Sequence, residues 1–229
     1  MILLAIDTAT DACSAALAID GQITERFAFT PKTHTQQLFA LIDALLTDAN
    51  ITQQDLTALA YGSGPGSFTG IRIAAGVIQG LGLALALPVV PVSTLAALAQ
   101  HAFNNPDNHF DTAFVAMDAR MNEVFFGVYQ KDSAGLAQCV GEATVGPAAA
   151  VEFPHTPGVG LGSGWASHGA ILTERLALWV REIDATALPH AGAIAYWAQY
   201  QIDHGRGLPV AKAMPVYVRD RVAKKESER

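Results

Sequence analysis

The chain has 229 residues, 51% of them hydrophobic and only 15% charged, with a formal net charge of −7. That composition excludes a disordered chain, and the length allows one large domain or two small lobes with a substantial core. The acidic balance repels phosphate backbones and argues against unaided binding of nucleic acid, while two cysteines, Cys13 and Cys139, cannot build a disulfide framework.

Met1 to Ile6 reads as a buried strand running into Asp7-Thr8-Ala9-Thr10. No basic leader or small-residue cleavage site marks this end, so a reducing, cytoplasmic setting is expected. Cys13 to Ile19 and Ile23 to Phe29 form a hairpin turned at Asp20-Gly21. Thr33-x-x-Gln36 has capping-box spacing and opens a helix to about Asn50. Along it Leu38, Phe39, Leu41, Ile42, Leu45 and Leu46 span an arc of about 160°, wider than one core-facing stripe needs.

Leu56 to Tyr61 is a short strand, followed by the glycine-rich turn Gly62-Ser63-Gly64-Pro65-Gly66-Ser67-Phe68-Thr69-Gly70 and a helix that is apolar all round. Its strongly polar side chains are Arg72 and Gln79 alone. Such a helix needs cover on more than one side, and the second cover is expected to be a partner. Gly76 and Gly80 cut a shallow groove into it. Ile73 to Val92 is an uncharged run of membrane-spanning length, but Pro88, Pro91 and three glycines favour a helix followed by the buried strand Val89 to Val92. No membrane association is expected.

Ser93-Thr94 caps a further helix towards Phe103, and Asn104-Asn105-Pro106-Asp107-Asn108 is a turn-rich break. The pattern then restarts: Thr112 to Met117 is a buried strand closing on Asp118, as the first closed on Asp7, and Glu123 to Lys131 enters another hairpin. Gly158 to Trp165 is a second glycine loop leading to a helix. The last helix, about His190 to His204, buries Ile194, Trp197 and Ala198. A duplicated α/β architecture with mixed sheets is expected, divided into residues 1–103 and 104–229.

Chemistry is sparsely marked. The glycine turn could cradle a phosphate at a helix N-terminus, yet Ile71 stands where a P-loop places lysine, and a tight strand-to-helix turn is the favoured reading. Asp7 and Asp118, each at a strand end, could hold a magnesium–phosphate group, with Thr8 and Thr10 behind Asp7. Asp7-Thr8-Ala9-Thr10 resembles the first phosphate loop of the actin, hexokinase and heat-shock ATPase superfamily, except that Ala9 occupies the usual glycine position. No histidine has metal-ligand spacing, and Ser67 has no nucleophile elbow. Neither a metal nor a cofactor is expected.

Met1 to Cys13, Gly64 to Arg72, Pro91-Val92-Ser93-Thr94-Leu95, Asp118-Ala119-Arg120-Met121-Asn122-Glu123-Val124 and Pro215-Val216-Tyr217-Val218-Arg219 together resemble the TsaB (YeaZ) family, over nearly the full length. The resemblance implies a two-lobed actin-like fold of the ribonuclease H-like class. It also implies a subunit of the bacterial machinery that makes N6-threonylcarbamoyladenosine at position 37 of tRNAs reading codons that begin with A. The related catalytic TsaD family carries a His-x-x-x-His metal motif whose positions align with Thr94 and Leu98, neither of which replaces an imidazole. The resemblance therefore implies a non-catalytic scaffold that pairs with a TsaD-like subunit, admits a TsaE-like ATPase and meets tRNA only through the complex. The family's pairing helices correspond to about His34 to Asn50 and Gly70 to Leu87. Expected partner-facing residues are therefore Leu38, Leu41, Ile42, Leu45, Leu46, Ile73, Gly76, Val77, Gly80, Leu81 and Ala84. Self-pairing through the same patch is an alternative. So are an actin-superfamily ATPase or phosphotransferase acting through Asp7 and Asp118, and a peptidase.

Overall fold

A computed structural model describes residues 1–29 and 34–218; Thr33, half of the expected capping box, and Arg219, the end of the last motif, lie outside the described residues. The chain forms two sheets with the same plan. In the first, β1 (Ile2–Asp7) pairs antiparallel with β2 (Ala12–Ile19), which turns at Asp20 and Gly21 into antiparallel β3 (Gln22–Phe29). Both turn residues have positive φ, 48° and 88°, as a tight hairpin requires. On the other side of β1 lie β4 (Ala58–Gly64) and β5 (Val89–Ser93), both parallel, giving the order β3-β2-β1-β4-β5.

The second sheet repeats this around β6 (Thr112–Asp118). Its antiparallel neighbour is β7 (Val124–Lys131), flanked by the short strands β8 (Ala137–Cys139) and β9 (Thr144–Gly146). The parallel strands are β10 (Gly158–Leu161) and β11 (Val180–Asp184). The restart after residue 104 is thus a true structural repeat.

Period-two alternation sends Leu4 and Ile6 of β1 to one face of the first sheet, and Leu3 and Ala5 to the other. The first face is covered by α1 (His34–Asp48) and α2 (Phe68–Leu85), the second by α5 (Ala191–Asp203). On the second sheet α3 (Thr94–Asn104) covers one face and α4 (Ser163–Leu176) the other. The expected division at residues 103 and 104 does not follow this packing. Leu95, Leu98 and Phe103 of α3 pack with β6 of the second sheet, whereas Ala191, Ile194 and Ala198 of α5 pack on the first. The two halves exchange a helix, and α3 lies against α5 where they meet.

The α1 expectation needs correction. Leu38, Leu41, Ile42, Leu45 and Leu46 are at most 8% exposed, sealed against Leu4, Leu17, Leu59 and Ile78. A helix wedged between a sheet and a neighbouring helix is covered over a wide arc, so the breadth of its stripe reports burial and not a free face. Phe39, 47% exposed, points outward instead. Leu45→Ala is therefore expected to cost about 3 kcal/mol through lost burial and the cavity left behind, read as a lower urea midpoint with an unchanged slope.

Candidate functional site

Three features meet around α2: its outer surface, the C-terminal segment beside it, and the loops at its N-terminus. Ser67 caps the helix, its Oγ accepting from the Gly70 amide at 3.3 Å. Ile71, Ala74, Ala75, Ile78 and Gly82 form the buried face. Residues 213–217 run along one flank as a strap. Gln79 donates through Nε2 to the Ala213 carbonyl at 2.6 Å, and Arg72 donates through Nε to the Tyr217 hydroxyl at 2.9 Å. Tyr61 donates its hydroxyl to the Met214 carbonyl at 3.0 Å, and the Val216 amide donates to the Ser63 carbonyl at 2.7 Å. The two polar side chains of the apolar helix thus hold the chain's own C-terminal segment. The Arg72 guanidinium also lies 3.6 Å above the Phe68 ring, a cation–π contact.

Between the strap and α1 a crest stays uncovered. Gly76, Gly80 and Ala84 are exposed, Leu83 is 77% exposed, and Ile73, Val77 and Leu81 are partly buried at its edges. A side chain added at Gly76 or Gly80 would meet nothing within 4 Å. The sequence-predicted residues of α2 therefore share an accessible surface. Leu83 and Phe39 also belong to the exposed apolar surface without being among the predicted residues; the solvent-facing angle of Leu83, opposite the Ala74 and Ile78 positions, was the available signal.

The glycine turn serves packing. The Ser67 amide donates to the Ala9 carbonyl at 2.7 Å, and Thr8 donates through Oγ1 to the Gly70 carbonyl at 2.7 Å. A Cβ at Gly66 or Gly70 would collide with Ala9 or Thr8, so these glycines admit the β1–β2 loop against the helix start. The Ser67 and Gly70 amides point into these internal bonds, which disfavours the phosphate-cradle reading.

Asp7 is fully buried beneath this loop. Its Oδ1 accepts from the Ala9 amide at 3.0 Å, while Oδ2 has no hydrogen-bond partner and leans over Gly62, where any Cβ would overlap it. Burial pushes the carboxyl up to about 7; the Ala9 amide and His190 oppose the rise, and Glu25 adds to it. Asp118 sits elsewhere, accepting through Oδ1 from the Arg120 amide at 2.8 Å, with the Arg120 guanidinium 3.5 Å from Oδ2. It lines a cleft of about 620 Å³ between the halves with Thr10, Phe68, Met121 and Tyr217. Asp7 and Thr8 do not line it. The four candidate nucleotide-loop residues are thus split between a cleft wall and the core.

Thr94 and Leu98 are both buried in α3. Among the described residues, no group of three or more His, Cys, Asp or Glu side chains is placed to hold a metal ion. Burial raises the Cys139 thiol pKa, the opposite of what an activated thiolate needs. The helix α2 is long and apolar enough to cross a membrane by length and composition, but its buried face packs on the first sheet.

Because the folded-state value of Asp7 exceeds its ordinary 3.8, its charge penalty is absent in acid below that value and complete above about pH 7. At 1.36 kcal/mol per pH unit the penalty is on the order of 4 kcal/mol. Asp7→Asn is expected to raise Tm above neutral pH and to converge with the parent near about pH 4 in pH-dependent thermal melts.

The family model for TsaD, tRNA N6-adenosine threonylcarbamoyltransferase, matches residues 28–193. The tRNA threonylcarbamoyladenosine biosynthesis protein TsaB of Escherichia coli is 39% identical, over 99% of this chain and 98% of its own. The Haemophilus influenzae protein of the same name is 33% identical, over 99% and 97%. A Pseudomonas aeruginosa crystal structure, described as an uncharacterized protein with similarity to peptidase YEAZ, superposes with a TM-score of 0.88 at 38% identity, covering 95% of this chain and 99% of the other.

Proposed function

The chain belongs to the TsaB family of tRNA threonylcarbamoyladenosine biosynthesis proteins, and from that footing we propose that it is the non-catalytic pairing subunit of the modifying complex. It serves threonylcarbamoyladenosine formation on tRNA by giving a TsaD-like catalytic subunit a helical surface to dock on. The observation that carries this reading is the crest of α2, where Ile73, Gly76, Val77, Gly80, Leu81, Leu83 and Ala84 lie between strap and α1.

Covering Leu83 and the half-buried aliphatics beside it would recover about 1.5–3 kcal/mol per large side chain. The two glycines let a partner helix approach at backbone distance, adding dispersion contacts along both. A stable interface buries about 800 Å² per partner, so the crest supplies its centre and the outward face of α1, with Phe39, extends it. The buried leucines of α1 support the crest from below and do not touch the partner.

Support for a non-catalytic role comes from the chemistry around α2. Asp7 is spent in the core, the Ser67 and Gly70 amides are engaged internally, and the positions aligned with the catalytic relative's metal histidines are Thr94 and Leu98. In this reading a TsaE-like ATPase docks on the pair, tRNA is met only through the assembly, and the setting is cytoplasmic. Self-association through the same crest competes with the catalytic partner.

The test is Gly80→Leu. The added side chain has open space within this protein, and replacing glycine in a helix favours folding by about 1 kcal/mol. Tm is therefore expected to hold or rise while co-elution with the TsaD-like subunit is lost. Leu83→Asp is expected to behave alike. Asp7→Asn should keep both association and tRNA modification. Normal co-elution of Gly80→Leu and Leu83→Asp would overturn the placement of the partner on α2.

A further inference from the structure

On the side of the first sheet away from α2, a compact cluster of ionisable and aromatic rings joins the two halves. His190, at the N-cap of α5, stacks face to face on His101 of α3, with centroids 3.9 Å apart and planes inclined by 7°. Phe27, on edge strand β3, stacks on the other side of His190 at 4.6 Å. Glu25, on the same strand, meets His190 Nδ1 through Oε2 at 2.9 Å and accepts from the Gly192 amide through Oε1 at 3.1 Å. The Ala191 amide donates to Ser14 Oγ at 2.9 Å, which fixes the start of α5 to β2.

These contacts fall at the helix exchange. His101 rides on a helix packed into the second half, and His190 begins the helix packed on the first. Leu188, two residues before His190, lines the cleft between the halves. We propose that the Phe27–His190–His101 stack, tethered by Glu25, is a proton-sensitive latch that fixes the angle between the two halves and hence the width of the cleft.

Two neutral or singly charged imidazoles stack readily; two imidazolium rings in face-to-face contact repel. Carboxylates on three strands act on the latch. Glu25 belongs to β3, Asp7 to β1 and Asp184 to the end of β11. His101 keeps an exposed edge, but desolvation of its stacked ring and the His190 charge hold it below its ordinary value, against the pull of Glu25 and Asp184. Burial raises the Glu25 carboxyl, but the hydrogen bond and charge of His190, the Gly192 amide and the His101 charge together leave it below its ordinary value. The depressed His101 contributes stability that is complete above its ordinary 6.5 and lost as pH falls from there through its folded value, whereas the Glu25 contribution is lost only below that carboxyl's ordinary 4.5. The latch is therefore shut at neutral pH and slackens in acid. Asp7 has the opposite sign, because it gains its proton on the way down.

The test is hydrogen exchange of the whole chain, followed by mass spectrometry between about pH 8 and about pH 5.5 and corrected for intrinsic exchange. In the parent protein, peptides spanning residues 94–104 and 190–196 should lose protection several-fold towards acid, while α1 peptides stay unchanged. His101→Phe keeps a flat ring in the stack but cannot be protonated, so the acid-dependent loss should vanish; taking the difference between variants removes the Asp7 contribution. Glu25→Gln removes the carboxylate charge that offsets positive charge in the stack, and its opening should move to higher pH. Equal pH profiles in the parent and His101→Phe, or a Glu25→Gln profile that does not move, would overturn the latch.

Discussion

The covering of one apolar helix is the constraint on which this structure depends. Helix α2 has hydrophobic groups all round, and water must be kept from most of them. The first sheet takes the Ile71 to Gly82 face, α1 closes one flank, and the C-terminal strap closes the other through Gln79 and Arg72. Two long polar side chains on an apolar helix would otherwise be poorly placed. Here each supplies a donor to a segment with no regular secondary structure of its own, whose carbonyls and hydroxyl need partners. What remains open after three covers is the glycine-lined crest.

How far such a surface can be read from sequence is shown by the two helices compared. The duplication was legible because each half begins with an apolar strand closing on aspartate, and strand alternation survives any change of neighbours. On α2 the all-round apolar pattern pointed to a second cover and the Gly76 and Gly80 spacing to a groove, but an apolar circumference by itself has no periodicity to single out the exposed Leu83. The burial of Leu38, Leu41, Ile42, Leu45 and Leu46 was not legible, since a wide stripe looks alike whether the second cover belongs to the same chain or to another. The strap was invisible: residues 213–217 have neither helical nor strand periodicity, and their bonds to Tyr61, Arg72 and Gln79 span more than 130 positions. The helix exchange escaped too, because packing of α3 on the second sheet is a property of topology, which composition near Asn104 to Asn108 does not report.

The glycine loops show how one pattern carries two physical meanings. Glycine at a strand-to-helix turn can bare amides for an anion or can allow two chain segments to touch. Gly66 and Gly70 do the second, pressed by Ala9 and Thr8, and the alanine at position 9 is compatible with that contact. Asp7, at the end of β1, is turned into the core, on the sheet face that α5 covers. Its unpartnered Oδ2 is a stability deficit at neutral pH. The deficit persists beside Gly62, the one residue type whose backbone leaves room for it.

Strand β4 gives the two faces of the first sheet a common element. Tyr61 projects towards α2 and grips the strap through Met214, while Gly62, the next residue, accommodates Asp7 on the α5 side. Ser63 comes next, its carbonyl holding Val216 and its hydroxyl donating to the Val92 carbonyl at 3.1 Å. Three successive residues thus hold the strap, leave room for the buried carboxylate and tie to the neighbouring strand. Close-packed interiors transmit displacement because they have little free volume to absorb it. Asp7 of β1 and Ile194 of α5 both lie against Gly62, and the same strand carries the atoms that fix the strap beside the crest. The inter-half junction and the α2 surface are therefore mechanically adjacent across a single strand, although they lie on opposite faces of the sheet.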